Sequence, residues 1–206
     1  MPFRLRREDA RFGDLLNDLA GGLPRTAELL AELLGAPQQQ LPELLAELRA
    51  ADQAAEVGAT AVLRALSSAI VTPFDRVDVY RLAWALRTVV QRMAGAGEDV
   101  VQLQPDGLPD VAPELVQLLG RAAEVAQDAV HRVPQPDLLT EASVELNRLT
   151  RQAREAHRRL LAAAGDEDAD AGRLLRRVAV TSSFRSAVES FELLAHALQT
   201  IAVAES

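Results

Sequence analysis

The chain has 206 residues and a formal net charge of −8, so a nucleic-acid binder, which needs a basic face, is not expected. It has no cysteine, which excludes disulfides, zinc–thiolate sites and thiol catalysis. Nearly half of it is apolar (49%) but only 3% aromatic, with alanine and leucine dominant, a balance that favours helices over sheets.

The first helix is expected over residues 8–34. Gly21, Gly22 and Pro24 interrupt it, and an interior proline costs about 3 kcal/mol, so a kink or short break is expected there. Residues 35–40 read as a turn, and Pro42 is well placed to open a second helix reaching about residue 70.

The third helix carries the most specific stretch, TPFDRVDVYRLAWAL (residues 72–86). Thr72 reads as its N-cap, Pro73 as its first residue and Asp75 as its third, where a carboxylate opposes the positive end of the helix dipole. Val79, Leu82, Ala83, Leu86, Val89, Val90 and Met93 then recur at three- and four-residue steps, a single apolar stripe. Tyr80 and Trp84 fall four apart on a neighbouring face, where they can stack, and Trp84 is taken as buried. This helix is expected to end near residue 94.

Residues 95–109 hold Gly95, Gly97, Pro105, Gly107 and Pro109 and read as a connection. Asp110 is expected to cap a fourth helix reaching about residue 133. A turn at 134–137 leads to a fifth helix over 138–164. Residues 165–172 form a short acidic loop whose spacing fails the EF-hand pattern, so a solvated loop is the better reading. A sixth helix fills the chain to about residue 203.

Six helices in two sets of three suggest one domain over residues 1–206 built from repeats at about 8–94 and 110–203. Leu82-Ala-Trp-Ala-Leu-Arg-Thr-Val-Val90 lines up without a gap on Leu194-Ala-His-Ala-Leu-Gln-Thr-Ile-Ala202. His196 takes the place of Trp84 and so reads as a helix-packing residue rather than a metal ligand. His131, His157 and His196 fall on three different helices with no paired spacing. A lysine-bearing phosphate loop, a nucleophile elbow and a His-Glu-x-x-His motif are all absent, so the chain does not read as an enzyme. No apolar run approaches the length of a membrane span. The basic N-terminus leads into an acidic amphipathic segment rather than a signal core. A cytoplasmic protein is expected.

Residues 72–86 resemble the signature of the PhoU-like Pit accessory proteins, which are described as regulators of low-affinity phosphate transporters. RFGDLL (11–16), AELLAELL (27–34) and ELNRL (145–149) extend the resemblance. It implies an all-α, PhoU-like fold: two antiparallel three-helix units forming an elongated helical bundle. It also implies a non-enzymatic accessory protein of a Pit-type transporter. The partner would be an integral-membrane phosphate permease that holds the protein at the inner membrane, with no direct membrane insertion and at most a weak homodimer. The alternatives are a carboxylate-based metal sensor or a generic helical scaffold for protein interaction.

Relatives carry Glu/Asp-x-x-x-Asp motifs, some of which bind iron or zinc clusters. Four-residue spacing sets both carboxylates on one helix face. Carried onto this sequence, the motif is largely broken. Leu48 precedes Asp52 where an acid is expected, and Arg87, Thr88, Gln91, Thr150, Gln152, Arg154, Arg185 and Ser186 stand at other acidic places. The residual candidates are Asp52, Glu56, Asp75, Asp78, Glu189 and Glu192. No cofactor is expected, with iron or zinc on these residual carboxylates as the alternative. Arg151, Arg154 and Arg158 form a basic stripe instead, and Arg87 and Arg154 are placed to bridge the surviving carboxylates.

Overall fold

A computed structural model of the chain describes residues 2–69, 72, 74–103, 108–132, 135–165 and 170–205, with side chains from residue 11 onward. Six helices occupy the described residues: α1 (Pro2–Gly35), α2 (Leu41–Ser68), α3 (Arg76–Leu103), α4 (Val111–His131), α5 (Pro136–Ala164) and α6 (Ala171–Ala204). No strand occurs among them. Within each unit of three, every helix touches the other two, and the units meet through α1 on α4 and α3 on α6. These pairings set α2, α3, α6 and α5 side by side as one layer, with α1 and α4 packed behind it. Helices α2 and α3 run in opposite directions, as the pairs Arg49–Glu98 and Glu56–Arg87 show, and so do α5 and α6, as Arg154–Glu192 and His157–Thr181 show.

The apolar stripe of α3 does what its spacing requires. Val79, Leu82, Ala83, Leu86, Val89, Val90 and Met93 are each at most 1% exposed. Each Leu, Val or Met so buried contributes about 1.5–3 kcal/mol, which is why the stripe fixes the rotation of α3 in the layer. The equivalent residues of α6 (Phe191, Leu194, Ala195, Leu198, Ile201 and Ala202) are buried as well. Thr88 and Thr200 match in detail, since each hydroxyl donates to the carbonyl four residues earlier, that of Trp84 (2.7 Å) and of His196 (2.9 Å).

The expected connection at 95–109 is corrected. Helix α3 runs on to Leu103, and Gly97 is buried inside it. A Cβ at Gly97 would lie 2.5 Å from Leu48 Cδ1 and 3.4 Å from Leu30 Cδ1, so glycine here lets α3 approach α1 and α2 closely. The residue that looked like a helix breaker is a packing device. Residues 104–107 lie outside the described residues.

The start of α3 also differs. Its cap is Asp75, whose Oδ1 accepts the Val77 N–H at 2.7 Å while its carbonyl accepts from Asp78 and Val79. Thr72 instead donates its hydroxyl to the Phe74 carbonyl at 2.7 Å. Arg76 reaches back to the Leu66 and Ala69 carbonyls, covering the end of α2. Pro73, together with residues 70 and 71, falls outside the described residues.

No break appears at Pro24, which sits inside a continuous α1. Ala20, Leu23 and Thr26 around it are fully buried, and the Thr26 hydroxyl bonds the Gly22 carbonyl at 2.7 Å. Tertiary burial thus offsets the local cost. Pro42 lies in the first turn of α2 as expected. Asp110 stands before α4 but makes no side-chain cap, whereas Asp170 caps α6 by accepting the Arg173 N–H at 2.9 Å. Residues 133–134 and 166–169, parts of the expected turn and acidic loop, are outside the described set. No helix among the described residues is long and apolar enough to cross a membrane.

Candidate functional site: the outer face of the four-helix layer

With one stripe of α3 committed to the core, the opposite stripe faces outward. It carries Val77, Tyr80 and Trp84 at 50%, 44% and 51% exposure. Trp84 is therefore not buried, which corrects the expectation: its position falls on the polar side of the helix despite its size. The Arg87 guanidinium lies 5.2 Å from the Trp84 ring centroid, a cation–π arrangement, and also pairs with Glu56 of α2. On α6, Leu193 is 57% exposed, and His196 is exposed too, so His196 is not the packing residue that the repeat suggested.

Two recesses open between helices of the layer. A cleft of about 340 Å³ opens between α2, α3 and α6, with Arg49, Asp52, Gln91, Glu98, Asp99 and Ser183 in its wall. Arg49 pairs with Glu98 at 2.6 Å, and the Ser183 hydroxyl donates to Asp99. Asp52 Oδ1 is buried without a hydrogen-bond partner. Burial pushes its carboxyl above the usual aspartate range, the Arg87 guanidinium opposes that, and the Glu56 and Glu98 charges add to it.

The second recess, a groove of about 470 Å³ between α5 and α6, is lined by Val144, Asn147, Thr150, Arg151, Arg154 and Glu192. Arg154 pairs across it with Glu192. One turn further along α5, His157 is buried and its Nε2 lies 3.1 Å from the Thr181 carbonyl. Burial holds His157 below its ordinary pKa; the Thr181 contact raises it, Arg185 lowers it and Glu189 raises it.

The structure disperses the six candidate carboxylates. Glu56 is held by Arg87, Glu192 by Arg154, Glu189 by Arg185 (3.1 Å) and Asp78 by Arg81 (3.3 Å). Asp75 caps α3, and only Asp52 is left with an orphan oxygen. Among the described residues, no group of three or more His, Asp or Glu side chains converges so as to hold a metal ion. The pairing of Arg87 and Arg154 with carboxylates of neighbouring helices was legible as a possibility, because arginine stood where acids were expected. Arg76, Arg49–Glu98 and Asp99–Ser183 were not anticipated; the last two depend on helix register, which one sequence does not display.

No family model matches the sequence, and no curated protein matches it. Solved structures do match. A PhoU-like protein from Shewanella oneidensis MR-1 aligns with a TM-score of 0.78 and 14% identity, covering 92% of this chain and 98% of that one. A second PhoU-like protein of that organism, named for phosphate regulation, aligns with a TM-score of 0.73, 14% identity and the same coverage. At this identity the likeness speaks for the fold, which is that of the PhoU-like proteins along nearly the whole chain.

Proposed function

We propose that this protein is a non-enzymatic regulator of phosphate transport that acts by contact with an integral-membrane permease of the Pit type. The observation that carries the reading is the fold shared over 92% of the chain with proteins one of which is named for phosphate regulation. The signature-like stretch at 72–86 adds the Pit assignment. In that stretch Asp75 and Arg76 secure the α2–α3 corner, and Tyr80 and Trp84 stand outward, ready for a partner. An exposed tryptophan flanked by another aromatic and aliphatic side chains is the kind of patch that supplies binding energy in protein contacts. Localisation would then be cytoplasmic, at the inner membrane through the permease.

Two measurements test this. Tagged protein should co-purify with the permease, and deletion of its gene should change phosphate uptake across a range of external phosphate. No co-purification together with unchanged uptake refutes the reading. The metal-sensor alternative is weakened by the dispersed, arginine-bound carboxylates, and protein purified without chelator is expected to carry no stoichiometric iron or zinc. A stoichiometric metal would reverse that choice.

A further inference from the structure

The geometry points to the α5–α6 groove as a binding site for a phosphate-type oxyanion, with Arg151 as its principal cation. Helix α5 holds five arginines. Four of them have a carboxylate: Arg148 with Glu145 (2.6 Å), Arg154 with Glu192, Arg158 with Glu155, and Arg159 with Glu114 (2.7 Å). Arg151 is exposed, lines the groove, and among the described residues has no carboxylate partner.

Position and chemistry agree. Val144, Asn147, Arg151 and Arg154 follow at steps of three, four and three, so they form one stripe along the groove. Glu192 neutralises Arg154, which leaves the groove a net positive charge centred on Arg151. The guanidinium fork matches two oxygens of a tetrahedral oxyanion, and the Asn147 amide supplies a further donor. The Thr150 hydroxyl is not available as a donor because it is given to the Asn147 carbonyl at 3.2 Å. The lining contains no aromatic side chain on which a base could stack, so the site suits a small anion rather than a nucleotide. The groove lies on α5 and α6, apart from Trp84, and its occupancy does not depend on the permease being the partner.

A free phosphate and a phosphate carried on a lipid headgroup share this chemistry, and two arms of one experiment separate them. Orthophosphate is titrated calorimetrically into the full chain and into Arg151→Gln and Arg158→Gln; in parallel, each protein is sedimented with phosphatidic-acid vesicles. Arg158 serves as the control because it pairs with Glu155 and does not line the groove. The expected result is saturable orthophosphate binding, weakened at least about tenfold by Arg151→Gln and unchanged by Arg158→Gln. Vesicle binding that Arg151→Gln abolishes, without orthophosphate binding, supports the headgroup source. No binding in either arm, or equal binding by wild type and Arg151→Gln, overturns the site.

Discussion

Replacing Gly97 and Gly95 by alanine, one at a time, tests the packing of α3 with its own internal control. Both lie in the same helix, and alanine favours a helix interior over glycine by about 0.8–1 kcal/mol. Around Gly95 a new Cβ meets nothing within 4 Å, so the whole gain should appear. At Gly97 the Cβ would lie 2.5 Å from Leu48 Cδ1, against a comfortable carbon–carbon separation of about 3.5–4.0 Å. Leu48 and Leu30 are fully buried, so the methyl must withdraw roughly 1 Å within a filled core. Overpacking of that kind costs about 1–3 kcal/mol, which leaves Gly97→Ala between neutral and about 2 kcal/mol destabilised. For a chain of this size 1 kcal/mol moves the melting temperature by about 2–4 °C. Gly95→Ala should melt about 2–4 °C above wild type, and Gly97→Ala at or below it, by calorimetry or far-UV dichroism. Equal stabilisation by both substitutions would refute the close approach of α3 to Leu48. A destabilised Gly95→Ala would refute the helix through residues 95–103.

The remaining expectations concern caps, surface and acidity. Asp75→Ala should cost about 1 kcal/mol through loss of the α3 cap, and Thr72→Ala distinctly less; urea melts giving the reverse order would return the cap to Thr72. Trp84→Ala should cost about 2 kcal/mol, below the 3–5 kcal/mol of a fully buried ring, and Trp84 emission should be red-shifted and open to acrylamide; a blue-shifted, shielded emission contradicts this. Burial holds the folded-state pKa of His157 below the unfolded value of about 6.5, so the unfolded chain binds more protons in acid. The stabilising contribution of neutral His157 is complete above that value and falls as pH drops through the folded pKa. Melting temperatures between pH 7.5 and 5.5 should fall more steeply for wild type than for His157→Gln, and parallel slopes would remove His157 as the cause.

How much of this was legible in the sequence depended on the range of the interaction. The stripe from Val79 to Met93 was legible because periodicity is a local property, and all its members are buried. Pro42 at the start of α2 was legible for the same reason. Gly97 was not: its meaning lies in Leu48 and Leu30, on helices whose distance the sequence does not give. Trp84 misled because size suggested burial while its phase on the helix pointed outward, and phase prevailed. In the groove, the arginine stripe of α5 could be seen, but not that Glu192 would hold Arg154 and leave Arg151 free of a carboxylate among the described residues.

The seam between α3 and α6 has a consequence for the newly made chain. Helix α3 ends at Leu103, while its neighbour in the layer is not finished until Ala204, about 101 residues later. At roughly 5–20 residues per second on the ribosome, that interval lasts about 5–20 s. Helices α1, α2 and α3 touch one another and can collapse together at once, since local helical contacts form within milliseconds. For those seconds the flank of α3 destined for α6 has no cover. A nascent N-terminal half is therefore a natural client for a chaperone, and premature termination after α3 should yield a fragment that aggregates.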